Sequence, residues 1–379
     1  MKRLLLFLLF PLVVFSANNN WKTFTNTSQI RQMAIADSVL WCATNGGVMA
    51  INANSMNYEK FTNTEGLAQI DVVASAYDER GFVWVAMPDG LLQILNLETN
   101  SWDAYNEFQN RLEVFCFLPH EDYVLVGYDQ GIAELRLDQK NHWERTWKAE
   151  IGAVREILIA DDQIWVAQED GVRRMPTDFP NKQIPNAWER FDLSDGLPSN
   201  DVFALAFYEN QVVAGTQMGL AFFENGTWQS AQMLDHQVRD LTLWNNTLSL
   251  ASDKGIFYLD NSNAWTRLGS AGSHVYHICS TSDDMLWAGT DNNALLYYST
   301  EETQWVNFTP NGPGSNTFSD LLVDSEGHLW ATSSHRPNGG VYYFDGTSWT
   351  NWHSYSGLAH YDYRSVEEDP FGRIWASSW

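Results

Sequence analysis

Residues 78–90 read DERGFVWVAMPDG and contain the pattern that decides the fold. Trp84 is followed two positions later by the small residue Ala86, and a turn containing Gly90 comes next. The same tetrapeptide pattern, Trp-x-Ala/Gly-Thr or a variant of it, occurs nine times in the chain. Six copies begin at Trp41, Trp84, Trp165, Trp287, Trp330 and Trp375, and three replace the Trp, at Leu125, Val213 and Ser249. Nine copies of one pattern indicate a repeat protein.

An aromatic-polar-x-Phe segment recurs with the same period. Its clearer copies begin at Trp21, Tyr58, Trp102, Trp188, Trp305 and Trp349, and its weaker copies at Trp143, Trp228 and Trp265. The mean spacing of about 41 residues matches the roughly 40 to 45 residues of a four-stranded propeller blade. Two further strand-like pieces, such as residues 72–77 and 47–51, complete each unit. We therefore predict an all-β fold, a β-propeller of four-stranded antiparallel blades.

Aspartates open the turns between the first and second strands of several units. Asp78, Asp324 and Asp369 each stand three residues before a Gly, a pattern typical of a tight turn in which Gly takes a positive φ. A calcium loop is the alternative, but Ca²⁺ needs several oxygen ligands and each turn offers one carboxylate at the turn position. We expect turns rather than metal sites.

The closure of the ring is predicted from the first aromatic segment. Residues 21–24 precede the first complete unit, and such an isolated strand often completes the last blade so that no edge is left unpaired. The seventh unit ends at residues 295–298, so we expect these two segments to pair. This assigns residues 18–300 to a seven-bladed propeller and residues 301–379 to the start of a second, truncated ring. A single ring of eight or nine blades is the alternative.

The N-terminus carries an export signal. Lys2 and Arg3 precede an apolar run at residues 4–15, which is too short to cross a bilayer and is followed by small residues suited to cleavage. We interpret residues 1–17 as a secretory signal peptide. No later stretch is apolar and uncharged for 18 residues, so no membrane span is expected in the mature chain. The predicted location is the periplasm or the bacterial cell surface.

The charge balance narrows the range of partners. The 379 residues include 22 Lys plus Arg and 47 Asp plus Glu, for a formal net charge of −25. This excess of acidic groups repels nucleic acids and anionic membranes at long range. Most of the 18 Trp are expected in the core because they recur with the blades, and a sugar-binding platform is the alternative. There is no CxxC pair, and we expect Cys42, Cys116 and Cys279 to be small core residues.

The units resemble the two-component regulator propeller repeat. The residues that carry the resemblance are Asp195-Gly196-Leu197-Pro198-Ser199-Asn200-Asp201-Val202, with related copies at residues 64–86 and 356–375. The resemblance covers residues 21–379. It implies two seven-bladed propellers in tandem, in the periplasmic ligand-binding sensor region of a hybrid histidine kinase. In that family an immunoglobulin-like domain, a membrane helix and a kinase usually follow, none of which this sequence contains. Cell-surface proteins of the type IX secretion system begin in a similar way.

Charged residues recur where the innermost strands begin, and these strands converge on the propeller axis. At equivalent positions the units place Arg31, Asp71, Glu113, Arg155, Asp201 and Arg239, followed by Tyr276, Ser319 and Arg364. Basic and acidic groups around one channel mouth predict a site for a zwitterionic or polyhydroxylated ligand. The alternative is that these side chains satisfy one another and the channel water.

No catalytic or metal-binding motif competes with this site. The motifs HExxH, GxSxG, GxxxxGK and GxGxxG are absent, and His274 and His277 stand three apart, on opposite faces of a strand. A polar aromatic cluster near the C-terminus either lines a cleft or forms a loop between blades, and its members are His353, Tyr355, His360, Tyr361, Asp362 and Tyr363. We expect no catalytic residue, no metal and no cofactor.

The sequence as a whole predicts an exported, non-enzymatic β-propeller that binds a glycan, peptide or protein ligand. It would be a sensor module of the kind found in two-component signalling proteins. A cell-surface component of a type IX-like secretion system, acting through protein or glycan contacts, is one alternative. A propeller lyase or hydrolase is the other, and it requires a base and an electrophile at the channel.

Overall fold

The computed structural model describes residues 21–109, 112–230, 233, 235–260, 262–269, 274–282, 285–299, 303–336 and 338–378. The predicted signal peptide, residues 1–17, lies outside these ranges. Within them, no helix is long and apolar enough to cross a membrane. Apart from short 3₁₀ turns, the regular structure in the described ranges is β-strand.

Nine antiparallel sheets follow one another along the described chain, eight of four strands and one of two, and each pairs consecutive strands. Sheets 1 to 3 are β1 (Ile30–Ala36), β2 (Val39–Thr44), β3 (Gly47–Asn52) and β4 (Tyr58–Phe61); β5 (Ala74–Asp78), β6 (Phe82–Ala86), β7 (Leu92–Asn96) and β8 (Ser101–Tyr105); β9 (Val114–His120), β10 (Tyr123–Tyr128), β11 (Gly131–Leu137) and β12 (Trp143–Ala149). Sheets 4 to 6 are β13 (Glu156–Ala160), β14 (Gln163–Gln168), β15 (Gly171–Pro176) and β16 (Glu189–Phe191); β17 (Val202–Tyr208), β18 (Gln211–Thr216), β19 (Gly219–Glu224) and β20 (Thr227–Ser230); β21 (Val238–Trp244), β22 (Thr247–Ser252), β23 (Gly255–Leu259) and β24 (Trp265–Arg267).

Sheets 7 to 9 are β25 (Val275–Ser282), β26 (Met285–Thr290), β27 (Leu295–Ser299) and β28 (Gln304–Phe308); β29 (Asp320–Val323), β30 (Leu329–Ser333), β31 (Gly340–Phe344) and β32 (Trp349–Trp352); β33 (Tyr363–Glu368) and β34 (Ile374–Ser378). The 3₁₀ turns are Asn63–Glu65, Pro185–Ala187, Leu193–Asp195 and Ser354–Ser356. Three of them lie between the outer strand of one sheet and the first strand of the next.

Neighbouring sheets interlock at the small third residue of the tetrapeptide pattern. A Cβ added at Gly127 would stand 2.8 Å from the carbonyl oxygen of Val154 and 2.9 Å from its Cγ1, so the first residues of the next sheet fill this space. Equivalent pairs within the ring are Ala43 with Val72, Ala86 with Val114, Ala167 with Val202, Gly215 with Val238 and Ala251 with Val275. A larger third residue would hold the sheets apart, because protein cores leave no spare volume.

The seventh sheet closes the ring through the same contact. A Cβ added at Gly289 would lie 2.7 Å from Cγ2 of Ile30 and 3.2 Å from its carbonyl oxygen. Ile30 and Trp287 are fully buried in one core that sheets 1 and 7 share. Seven such cores join the first seven sheets in a circle. The predicted fold, an all-β propeller of four-stranded blades, is confirmed.

The predicted pairing of residues 21–24 with residues 295–298 was wrong. β27 pairs with β28, which places Leu295 opposite Phe308 and Tyr298 opposite Trp305. A strand that follows within a few residues costs less loop-closure entropy than one from the N-terminus, so the local hairpin forms. The outer strand of sheet 7 therefore extends past residue 300. The division of the chain into two rings stays a proposal.

The N-terminal segment packs on sheet 8 instead. The Phe24 ring centroid lies 4.7 Å from that of Phe344 and 5.5 Å from that of Trp349. Sheets 8 and 9 also contact each other, because Asp320 Oδ2 accepts a hydrogen bond from the Val366 backbone N–H at 3.0 Å. Residues near the start of the described chain thus pack on the sheets that follow the ring.

The aspartates of the hairpin turns accept hydrogen bonds within those turns, as expected. Asp324 accepts hydrogen bonds from the backbone N–H groups of Glu326 and His328 and from the indole Nε1 of Trp330 at 2.9 Å. Asp369 makes the same set of contacts in sheet 9, including one to the indole of the pattern Trp. In each of these turns, one carboxylate therefore fixes both the turn backbone and the Trp side chain that begins the tetrapeptide pattern.

We predict that Gly289→Val destabilises the protein and that Ile30→Ala partly offsets this effect. The Val side chain would collide with Ile30, and overpacking of this kind costs about 1–3 kcal/mol. Ile30→Ala alone should cost about 2–5 kcal/mol, because it leaves a cavity. In the double variant one change fills the space left by the other, so the two costs should not add. Urea unfolding followed by Trp fluorescence measures all three free energies.

The same pair of substitutions at Gly215 and Val238, inside the ring, is the matched control. Coupling at both pairs is the expected outcome, since residues in contact interact by about 0.5–3 kcal/mol in such cycles. Coupling at the control pair with simple addition at Gly289 and Ile30 would mean that sheet 1 does not pack on sheet 7.

Candidate functional site

A β-bulge near the start of five of the seven innermost strands of the ring sets one residue outside the ladder. In β1, Ile30 pairs with Thr44 and Gln32 with Ala43, which leaves Arg31 between them. In the other two sheets the equivalent residues, Val73 and Arg155, lie just before β5 and β13 and donate their backbone N–H to Ala86 and Ala167. We call the seven equivalent residues the bulge layer: Arg31, Val73, Phe115, Arg155, Phe203, Arg239 and Tyr276.

This register corrects the predicted alignment of the channel mouth. Arg31, Arg155 and Arg239 share the bulge layer, but the three acidic residues do not. Asp71, Glu113 and Asp201 each precede the bulge layer of their own strand by two residues. The alignment made from the sequence placed charged residues at equivalent positions. In the structure the equivalent positions are set by the buried Ile or Val that precedes each bulge-layer residue.

Two of the acidic residues neutralise arginines of the preceding sheet. Arg31 Nη1 lies 2.5 Å from Asp71 Oδ1 and 3.2 Å from the carbonyl oxygen of Val72. Arg155 contacts Asp201 and the following carbonyl in the same way. Arg239 donates to the neutral amide of Gln237 at 3.2 Å. Mutual neutralisation, the alternative interpretation, thus describes these two pairs, and ligand binding by the six predicted residues stays a prediction.

In several inner strands, the residue directly after the bulge-layer position accepts a hydrogen bond from the backbone of the neighbouring sheet. Gln32 Oε1 accepts from the Ser75 backbone N–H at 3.0 Å, and Asp240 Oδ2 accepts from that of Ile278 at 2.6 Å. Asp320 makes the same contact between sheets 8 and 9. These side chains give partners to buried backbone donors, so they hold adjacent sheets together.

Glu156 occupies the same position in β13 and faces a second carboxylate. Burial raises the pKa of Glu156 well above its usual range, and the charge of Asp240 raises it further. Burial also raises the pKa of Asp240, although His277 opposes the shift with Nε2 3.7 Å from Oδ2. A His beside a carboxylate is the pair a lyase would need. Here Asp240 already accepts hydrogen bonds from the backbone of Leu241 and Ile278, which gives it a structural role.

We predict that Glu156→Gln stabilises the protein increasingly as the pH rises above about 4.5. Above this value Glu156 ionises in the unfolded chain but keeps its proton in the fold. The folded state then binds more protons, so the unfolding free energy falls with rising pH. Gln cannot ionise and escapes this loss. Urea unfolding between about pH 4 and pH 8 measures the difference.

Glu169→Gln is the matched control, since the Glu169 side chain is 70% exposed. A Glu156→Gln effect that does not vary with pH would show that this carboxyl titrates alike in the folded and unfolded chains.

Sheets 1 and 8 meet at a second polar region, which we call the seam. Asn316 Nδ2 donates to the carbonyl oxygens of Asn26 and Asn45 at 2.9 and 2.8 Å, and its Oδ1 accepts from the Asn26 backbone N–H at 2.6 Å. One amide therefore joins the N-terminal segment, the first sheet and the loop before β29.

Lys60 adds a half-buried cation to the seam. Its Nζ donates to the carbonyl oxygens of Thr25 at 3.1 Å and Asn311 at 2.9 Å. Burial lowers the pKa of Lys60 to about 8. The Tyr58 hydroxyl accepts from the Asn311 backbone N–H at 2.8 Å. The loop before β29 is thus fixed to the outer strand of sheet 1.

Two adjoining cavities of about 260 and 200 Å³ open at the seam, and we call them the seam cleft. They share Asn26, Ser28, Asn292, Gly314 and Asn338. Amide side chains dominate the lining, with asparagines at Asn26, Asn45, Asn292, Asn293, Asn307, Asn316, Asn338 and Asn351. Each amide both donates and accepts hydrogen bonds, which suits a ligand that carries hydroxyl groups.

Asn351 keeps an unused acceptor at the cleft. Its Nδ2 donates to the carbonyl oxygen of Gly312 at 3.0 Å, while its buried Oδ1 has no hydrogen-bond partner within the described part of the chain. Nearby, Tyr355 is 77% exposed and its ring stacks on His353 with 4.9 Å between centroids. A sugar ring fits both groups, because its hydroxyls donate hydrogen bonds and its apolar face packs on aromatic rings.

The C-terminal aromatic cluster, for which the sequence leaves a cleft and a loop open, contributes two residues to this cleft. His353 and Tyr355 line the cavity, whereas the other four members of the cluster are not among its lining residues. The asparagines were missed, because they come from residues 26 to 351 and meet only when sheets 1, 7 and 8 assemble. The dipeptide Asn292-Asn293 is the one local signal, and it reads equally well as a turn.

Comparison with known proteins finds structures with a similar fold but no protein with a similar sequence. No protein-family model matches the chain, and no curated protein matches it. The structure of PorZ is similar at a TM-score of 0.74 and 16% identity, over 95% of this chain and 51% of that one. PorZ is an essential surface component of the type IX secretion system of Porphyromonas gingivalis. The shared architecture agrees with the β-propeller fold of this chain.

Two further structures show the range of propellers that share the fold. The extracellular domain of a B. thetaiotaomicron protein assigned to a hybrid two component system matches at a TM-score of 0.57 and 16% identity, over 94% of this chain and 51% of that one. A streptogramin B lyase matches at 0.55 and 12% identity, over 72% and 95%. This chain spans about half the length of the first two structures. At such identities the likeness shows the fold and leaves function to the site.

Proposed function

We propose that this chain is an exported, non-enzymatic β-propeller that binds a neutral glycan in the seam cleft. The observation that carries the proposal is the buried, unpartnered acceptor of Asn351 beside the exposed ring of Tyr355. An acceptor of this kind costs free energy until a donor reaches it, so a ligand hydroxyl gains more here than at an open surface.

The charge of the cleft favours a neutral ligand. Its described lining includes one carboxylate, Asp291, which already lies 3.3 Å from Nδ1 of His274. An anion would be repelled by the net charge of −25, and a cation would find few acidic partners among the amides. Hydroxyl groups match the lining without any charge to compensate.

Export is supported by two independent features. Residues 1–17 have the pattern of a signal peptide, and two of the similar structures belong to an extracellular domain and a surface component. On this proposal the chain acts as a ligand-binding sensor module outside the cytoplasm. A role as a surface component of a secretion system is the second candidate, favoured by the TM-score of 0.74 to PorZ.

We predict that a neutral oligosaccharide raises the melting temperature of the full chain and that Tyr355→Ala or Asn351→Leu reduces the shift. A ligand that binds only the folded state stabilises it by mass action. Loss of the ring or of the acceptor should weaken binding about tenfold or more. A thermal-shift screen of neutral oligosaccharides, followed by calorimetric titration of the best one, makes the measurement.

Phe371→Ala is the matched control, because Phe371 is 82% exposed and does not line the cleft. If no oligosaccharide shifts the melting temperature, the glycan proposal fails and the surface-component role becomes the better one. If Arg239→Ala removes the shift while Tyr355→Ala keeps it, binding takes place at the channel mouth.

A further inference from the structure

Three grooves between neighbouring sheets lie on the face opposite the channel mouth. They contain cavities of about 490, 470 and 500 Å³, between sheets 4 and 5, sheets 6 and 7, and sheets 2 and 3. Aromatic side chains and a carboxylate occur at each groove. The three grooves differ in whether an arginine of this chain lies against the aromatic rings.

In the groove between sheets 4 and 5, three rings hold an arginine of the chain. The guanidinium carbon of Arg174 lies 5.2, 5.1 and 5.0 Å from the ring centroids of Trp165, Phe191 and Phe223. Its Nε donates to Glu189 Oε2 at 2.5 Å. A planar cation stacked on rings beside a carboxylate is a favourable arrangement, and it fills this groove from within.

The groove between sheets 2 and 3 repeats the arrangement with another arginine. The guanidinium carbon of Arg80 lies 5.3 Å from the centroid of Trp143, and its Nη2 lies 2.5 Å from Asp78 Oδ2. The Trp143 ring packs in turn on Trp84, with 4.4 Å between centroids. Two of the three grooves are therefore occupied by an arginine of the same chain.

The groove between sheets 6 and 7 has the rings without the arginine. Tyr258 stands opposite Ser249 in the position that Arg174 takes opposite the pattern Trp of sheet 4. The Trp244 ring lies 5.7 Å from those of both Tyr258 and Tyr298, at 87° to each. The described residues that line the cavity include no lysine or arginine. Three aromatic rings are thus arranged around a space with no cation of the chain among the described residues.

Asp260 supplies the carboxylate of this groove. Its oxygens accept hydrogen bonds from the Ser262 hydroxyl, the Ser262 and Ala264 backbone N–H groups and the Thr266 hydroxyl. These bonds hold the pKa of Asp260 at about 2, so it is ionised at any physiological pH. All these donors are neutral, and they leave the negative charge of Asp260 uncompensated.

We infer that the groove between sheets 6 and 7 is a docking site for an arginine side chain of a partner protein. The guanidinium would stack on Trp244, Tyr258 and Tyr298 and donate to Asp260, as Arg174 does in its own groove. Arginine suits the site better than lysine, because only a planar guanidinium stacks on rings and donates to a carboxylate together. The net charge of −25 also attracts a basic segment. This site is separate from the seam cleft and does not depend on glycan binding.

A capped Gly-Arg-Gly peptide titrated into the full chain tests the inference. We expect it to bind at least tenfold more tightly than the same peptide with neutral citrulline, which keeps the shape and loses the charge. Tyr258→Arg should abolish binding by filling the groove with an arginine of the chain. Tyr258→Phe, which keeps the ring, is the matched control and should bind normally. Calorimetry measures binding, and the melting temperature checks that each variant folds.

Equal binding of the arginine and citrulline peptides to the unmodified chain would overturn the inference, whatever the variants do. Undiminished binding by a folded Tyr258→Arg variant would place the peptide elsewhere and also overturn it. Tighter binding of a Gly-Lys-Gly peptide would overturn the assignment to arginine.

Discussion

The contact on which the structure depends is the one between a small residue in the second strand of each sheet and a buried Ile or Val that opens the next sheet. Gly127 admits Val154 and Gly289 admits Ile30 at distances that leave no room for a larger side chain. This contact fixes how closely the innermost strands approach one another. Repeated around the ring, it brings sheet 7 onto sheet 1 and removes the need for a strand borrowed from elsewhere.

The same contact explains where the polar residues of the inner strands lie. Next to this buried Ile or Val five of the seven inner strands bulge by one residue, and the bulged residue leaves the ladder. The residue after the bulge lies where the next sheet begins and bonds its backbone, as Gln32 and Asp240 do. The carboxylates near the axis are therefore used to join sheets. Glu156 takes the same position, and the raised pKa of this acid has two causes, its removal from water and the nearby charge of Asp240.

The sequence predicts the features that depend on local pattern. The period, the strands and the Asp turns each follow from a few neighbouring residues, and all are found. Register and closure are different, because the bulge at Phe203 shifts the strand by one residue and no single residue type marks it. The segment at residues 21–24 looks like an outer strand, but the competing partner Trp305–Phe308 lies closer along the chain to β27. The cleft was least predictable, since its asparagines are distant in sequence.

The way the ring closes also determines what the seam can do. Because sheet 7 takes its outer strand from β28, the N-terminal segment is left to cross to sheet 8, where Phe24 packs on Phe344. The seam cleft is consequently lined by sheets on both sides of that crossing, with Asn26 and Asn292 on one side and Asn351 and Tyr355 on the other. A glycan bound there as proposed would bond both sides at once, so its binding would stabilise the crossing of the N-terminal segment onto sheet 8.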